Sequence, residues 1–277
     1  MKRALGLHQL SAMDLTPFEL VDAAAACGYD RVSLFTNAPH VPIAGQEGKF
    51  VFPTVLPHMQ REMRARLDDR GLDMVNAEFF LMRPDVDPGS YRPGLALGRE
   101  LGARHAISHV FEPEASRAVD ILGRFCDIAA SEDMIVAIEF CQMTPGCKSL
   151  AQAKWFVDQM GRPNIGFGIC PMHLVRSGGT AADIAALDPE YLLYGQINDG
   201  RGLHVAEAYF DEVHNRELPG NGDFPLHDIL SALPARVPIE FKCPDERRRT
   251  AGVSGQDHVA NGFARSRALV DGLQPGQ

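Results

Sequence analysis

The sequence predicts an α/β chain folded as one closed (β/α)8 barrel. Two observations carry that expectation. Eight short apolar runs each precede a stretch with helical patterning, at a repeat of about 30 residues, the length of a strand–helix unit. Eight such units are the number that closes a parallel sheet on itself. A doubly wound open sheet is the competing arrangement, but no Gly-x-Gly-x-x-Gly follows the first run. No linker, charge block or low-complexity tract divides the chain, so residues 1–277 read as one domain.

The first strand is predicted over residues 4–8, ending in His8. Thr16-Pro17 opens a helix with an apolar face from Phe18, Leu20 and Val21, and Cys27-Gly28 closes it. RVSLF (residues 31–35) is the second strand. Residues 36–53, rich in Pro, Gly and His, read as a long loop over the strand ends that shapes substrate choice. A helix over 54–70 is stopped by Gly71, and the third strand, 72–80, carries Glu78. A helix over 91–101 leads to the fourth strand, 104–111, with His109 near its end. Helix 115–132 precedes strand 134–140, which ends in Glu139, and helix 149–160 precedes strand 165–170, which ends in Cys170. A loop carrying His173 and Arg176 follows, then a helix over 180–186 and the seventh strand, 191–197, with Gln196. A long loop over 199–224 holds Asp199, Arg201 and Arg216. Helix 226–233, strand 237–241 with Glu240, and a last helix over 257–273 complete the pattern.

Composition narrows the class. Apolar residues make up 45% of the chain, enough for a large core, and the formal net charge of -9 disfavours a nucleic-acid partner. No apolar run approaches the roughly 20 residues that span a bilayer. The N-terminus has no apolar segment of signal-peptide type. Six cysteines without a CxxC pair read as reduced thiols, so a cytoplasmic protein is expected.

Strand ends on one rim of such a barrel converge. That gathers His8, Glu78, His109, Glu139, Cys170, His173, Gln196, Asp199 and Glu240. Glu139 and Glu240 interrupt apolar runs, and a buried carboxylate without a partner is costly, so a metal or a substrate proton is the expected partner. Singly, each residue has a plainer reading: an acid at a strand end often caps a loop, a lone His is often structural, and Cys170 can be a small buried hydrophobe. Phe35, Phe79, Phe80 and Phe111 also lie near strand ends; either they pack the core or they give the pocket an apolar wall.

AIEF, the GIxxxxHLxRSGG segment with QIND after it, RELPGNGDFPL, and PIEF are the segments that carry a family likeness. The chain resembles, over essentially its whole length, the xylose isomerase-like TIM barrel superfamily of sugar phosphate isomerases and epimerases. The resemblance implies one divalent metal (Zn, Mn, Co or Mg) held by Glu139, Cys170, Gln196 and Glu240. It also implies that Glu139 and Glu240 act as acid and base, with His173 binding substrate. Arg176, Asp199, Arg216, His109 and His8 are the further substrate-binding candidates. Cys170 departs from the pattern, which has Asp there; a thiolate favours zinc over magnesium or manganese. The activity this implies is isomerisation or epimerisation of a small sugar-like or hydroxy-keto substrate through an enediolate. The same site could dehydrate a cyclic keto-polyol, and loss of the metal would leave a binding protein. A DNA-repair endonuclease of the superfamily would need more His and acidic ligands and a basic face. Relatives often form homo-oligomers.

Overall fold

The computed structural model describes residues 3–38, 51–206 and 209–273. Its eight strands are β1 (Leu5–His8), β2 (Arg31–Phe35), β3 (Asp73–Met82), β4 (His105–Val110), β5 (Ile135–Ile138), β6 (Ile165–Ile169), β7 (Leu192–Ile197) and β8 (Ile239–Phe241). All neighbours pair parallel, and β1 pairs with β8 through Gly6 and Glu240, so the barrel closes as expected.

Five helices follow the expected strand–helix order: α1 (Pro17–Cys27), α2 (Gln60–Arg70), α3 (Arg92–Glu100), α4 (Ala115–Ser131) and α5 (Leu150–Met160). α1 starts where the Thr16 hydroxyl accepts from the Glu19 N–H while the Glu19 carboxylate accepts from the Thr16 N–H. It stops at Gly28, whose φ of 92° suits glycine. The remaining helices are α6 (Pro171–Arg176), α7 (Ala181–Ala185), α8 (Tyr209–His214), α9 (Leu226–Ser231), α10 (Glu246–Thr250) and α11 (Gly255–Asp271).

Two of these, α6 and α8, stand where loop was expected, and α10 lies in a stretch that the sequence reading gave no element. α6 stands where a loop was expected after Cys170; Pro171 takes its first turn, where a missing N–H costs nothing. α8 interrupts the long loop after β7, and α10 precedes the last helix. α2 starts later than expected, because Thr54 first bridges to Phe35 and residues 57–59 form a 3₁₀ turn. The expected loop over 36–53 falls mostly outside the described residues. Among the described residues no helix is long and apolar enough to cross a membrane.

Strand alternation sorts the side chains. Leu5, Leu7, Val32, Leu34, Val136, Ile138, Phe167 and Ile169 join the core between strands and helices. Phe35, Phe79, Leu81, Ile107, Ala137 and Tyr194 form a second cluster inside the barrel. Gly166 and Gly168 are the inward positions of β6. A Cβ on Gly168 would lie 2.1 Å from Tyr194 Cζ, so the tyrosine ring fills the space this glycine leaves. Gly168→Ala is expected to displace the ring and lower stability by about 2 kcal/mol, read as a drop in denaturation midpoint at unchanged slope.

Candidate active site

Glu139 follows β5 directly and points inward, two residues beyond Ala137. Its Oε2 accepts from Tyr194 Oη at 2.6 Å and from Gln196 Nε2 at 3.0 Å. Its Oε1 accepts from Lys242 Nζ at 2.6 Å and lies 3.0 Å from His173 Nε2. Burial opposes its ionisation. The Lys242 ammonium and then the His173 hydrogen bond outweigh burial and hold its carboxyl well below the usual range.

Lys242 was not foreseen. It lies two residues past Glu240, on the same inward face, but a sequence reading that ends the strand at Phe241 hands it to a loop. Its side chain is buried, and although burial lowers an ammonium's pKa, Glu139 and then Glu78 raise it. Tyr194, two residues before Gln196, follows the same rule of alternation and was equally legible.

Glu240 sits one position deeper along β8. It accepts from Ser33 Oγ, from Asn76 Nδ2 at 3.2 Å and from Gln196 Nε2 at 2.9 Å. Gln196 therefore bridges both glutamates with one amide nitrogen. Burial chiefly raises the Glu240 pKa; His8 opposes this and Glu78 adds to it.

Cys170 follows β6, caps α6 and is fully buried. Arg216 Nη1 lies 3.5 Å and Asn198 Nδ2 3.4 Å from its sulfur. Burial raises a thiol's pKa, but the charges of His173 and Arg216 prevail and bring it down to about 6. His173 moves the opposite way: burial lowers its pKa, and Cys170 and Glu139 raise it above the ordinary value. Its Nδ1 hydrogen bonds Tyr209 Oη.

His8 and Glu78 form a separate buried pair. Leu10 N–H donates to His8 Nδ1 at 2.9 Å, which leaves the ring proton on Nε2. That nitrogen is 3.3 Å from Glu78 Oε1, too poorly aligned for a hydrogen bond, and both Glu78 oxygens lack a donor. Burial pushes the Glu78 carboxyl up to about 8 and, with a smaller push from Lys242, the His8 imidazole down to about 3. A carboxyl whose pKa rises on folding stabilises the fold fully below its unfolded value, and that contribution fades as pH climbs to the folded one. Taken alone, this Glu78 contribution falls between pH 4.5 and about 8, by up to about 1.4 kcal/mol per pH unit, while His8 and His109, held neutral, work the other way below pH 6.5. The stability of the wild type minus that of Glu78→Gln, from urea titrations, should therefore fall across that range.

Two expected substrate ligands serve the scaffold. Asp199 accepts backbone N–H bonds from Gly200 (2.8 Å), Gly220 (3.0 Å), Gly222 (3.0 Å) and Phe224 (3.1 Å), fastening the loop after β7. Arg176, buried, donates to Glu212 and to the carbonyls of Arg201, Gly202 and His204, so all three of its nitrogens hold that same loop.

Above Glu139 lies a cavity with a polar floor of Glu139, Lys242, Arg216, His109 and His173. Leu10, Phe52, Phe79, Leu81, Phe111 and Met143 line its walls. Phe79 and Phe111 thus serve the pocket, Phe35 packs edge-on beneath Phe52 and Phe79, and Phe80 packs outside the barrel with Tyr91 and Phe125. His109 stays neutral, because burial above all lowers its pKa to about 3. Neither Glu240, His8 nor Cys170 lines this cavity.

The family model for the xylose isomerase-like TIM barrel matches residues 21–240. The chain belongs to that family. No curated protein sequence matches the chain. Among solved structures, the IOLI protein with a bound zinc atom superposes with a TM-score of 0.79 at 14% identity, over 98% of both chains. A xylose isomerase domain protein from Alicyclobacillus acidocaldarius gives 0.74 at 24% identity, over 97% of this chain and 98% of the other. A D-psicose 3-epimerase gives 0.68 at 14%, over 98% and 100%.

The family implies a metal, and the donor set tests that. Among the described residues two triads bring ligand-type atoms within 4.8 Å of one another: Glu139, Cys170 and His173, and His8, Glu78 and Glu240. Thiolate, imidazole and carboxylate in the first are a donor set that suits zinc. The expected quartet, however, is divided between the two triads. Within it, Glu139 and Cys170 already face Lys242 and Arg216, Glu240 accepts three hydrogen bonds, and only Gln196 Oε1 accepts none. In the second triad His8 presents an N–H. The expected quartet as arranged does not gather round one divalent cation; of the four, only Glu139 and Cys170 share a triad, with His173.

Proposed function

We propose that this protein is an isomerase that moves a proton between adjacent carbons beside a carbonyl in a small substrate. The observation that carries this is one ionised carboxylate, Glu139, on the floor of an apolar cavity, 2.6 Å from the Lys242 ammonium. Structural similarity to an epimerase supports the class of chemistry.

Glu139 takes the proton from the substrate carbon, and the C–H electron pair passes to the carbonyl oxygen as an enolate. Lys242 and Arg216 face that developing negative charge. As the ammonium turns toward the new oxyanion, it relaxes its hold on Glu139, whose basicity rises at the moment it is needed. Tyr194 and Gln196 keep the carboxylate oriented, and the aromatic walls exclude water. Glu139 then returns the proton to the former carbonyl carbon, while the hydroxyl proton on the first carbon passes to the enolate oxygen, so the C–H and the carbonyl exchange places in an α-hydroxy carbonyl substrate. Glu240 lies beneath Gln196, outside the cavity, so one base on one face does both transfers. That arrangement favours isomerisation over two-base epimerisation.

The test is the substrate's carbon-bound proton in D2O. Exchange at that carbon, catalysed by the wild type, is expected; a substrate turned over with no exchange and no internal proton transfer would sink the reading.

A further inference from the structure

The cavity floor has more donors than acceptors. Lys242 Nζ spends one bond, on Glu139. Arg216 spends Nε on the Val213 carbonyl and Nη1 on the Lys242 carbonyl and Cys170 Sγ, and among the described residues its Nη2 makes no hydrogen bond. Both side chains are otherwise buried and line the cavity, so their open N–H groups are available to whatever enters it. A ligand that completes these bonds must bring oxygen lone pairs, and a negatively charged oxygen completes them best. The walls ask for the opposite. Phe52, Phe79 and Phe111 offer ring faces and edges, and a polyol laid against them would leave its hydroxyls without partners.

We propose that this cavity binds a small 2-oxo acid or related carboxylate through Lys242 and Arg216, with an apolar, ring-sized body against Phe52, Phe79 and Phe111, and without a divalent cation. This rests on the proposed isomerase reading for the identity of the site. Lys242 places its positive charge against Glu139, where an ion in the expected ligand set would otherwise stand. A ligand carboxylate there receives a fixed charge and two or more N–H donors, and the ring supplies buried apolar area. Recognition is thereby divided: charge selects the acid group, and the walls select against sugars.

The experiment is calorimetric titration of the full chain, dialysed against chelator, with phenylpyruvate, pyruvate and D-fructose. Phenylpyruvate is expected to bind about ten-fold or more tightly than pyruvate, the worth of burying a ring, and D-fructose to give no heat. Adding Zn²⁺, Mn²⁺ or Mg²⁺ should leave the phenylpyruvate affinity unchanged. Lys242→Met should weaken it about 100-fold, and Lys242→Arg should keep most of it. Should Lys242→Met fail to fold, Phe79→Ala decides, because it must shrink the preference of phenylpyruvate over pyruvate. Binding of D-fructose in preference to both acids, or binding of the acids only after a metal is added, overturns the proposal. Titration needs no turnover, so binding of phenylpyruvate upholds this inference even if a substrate turned over without proton exchange overturns the isomerase reading.

Discussion

Glu139→Gln is expected to lower turnover by about 10³-fold while leaving the protein folded. The amide keeps the shape of the carboxylate but has one acceptor oxygen, so it can face either Lys242 or the Tyr194 and Gln196 donors, and it cannot take a proton. Its cost to stability is of a different kind. The variant leaves the Lys242 ammonium buried without its counter-charge, which costs about 3–5 kcal/mol. Melting and activity therefore have to be read together. A folded variant that is inactive, with no deuterium wash-in, places the base at Glu139. A folded variant with wild-type turnover removes Glu139 from the chemistry. Glu240→Gln is the comparison: Glu240 is outside the cavity and its pKa is already raised, so turnover should fall far less.

Asp199→Ala carries the largest expected loss of stability away from the cavity. Four backbone N–H groups converge on one buried carboxylate. Removing it strands those four N–H groups, at a cost of about 4 kcal/mol. Asp199→Asn should recover only part of this, because an amide offers one acceptor oxygen. Hydrogen exchange is the direct readout: the amides of Gly200, Gly220, Gly222 and Phe224 should lose protection together, while β5 and β6 amides keep theirs. If those four amides stay protected in Asp199→Ala, the clasp is not what orders the loop.

Much of the barrel was legible because its signals are local. Apolar runs, the Thr16–Glu19 capping pair and glycines such as Gly28 and Gly71 each act over a few residues. The inward direction of Glu139, Gln196 and Glu240 follows from strand alternation alone. What escaped was pairwise and long-range. Lys242 and Glu139 are far apart in sequence, and only barrel closure brings the ammonium to the carboxylate. The same closure divides the expected ligand set, sending Glu240 to His8 and Glu78 while Glu139 stays with Cys170 and His173. Arg176 and Asp199 were read as ligands because they sit on loops over the rim. Their partners are backbone groups of those loops and, for Arg176, the Glu212 carboxylate, which no residue pattern names. α6 escaped because six helical residues between a strand and a glycine pair carry too little periodicity to register.

Tyr194, seated in the space of Gly168, closes the barrel axis directly under Glu139, with Ile107 and Ala137 beside it at the same depth. The site is therefore a cul-de-sac. Among the described residues the way through the barrel is closed below, so whatever enters over the aromatic rim leaves on that side before the next molecule arrives. Product and substrate contend for one doorway, so inhibition by product should be competitive in form, and the rate of departure sets a ceiling on turnover however fast the proton moves.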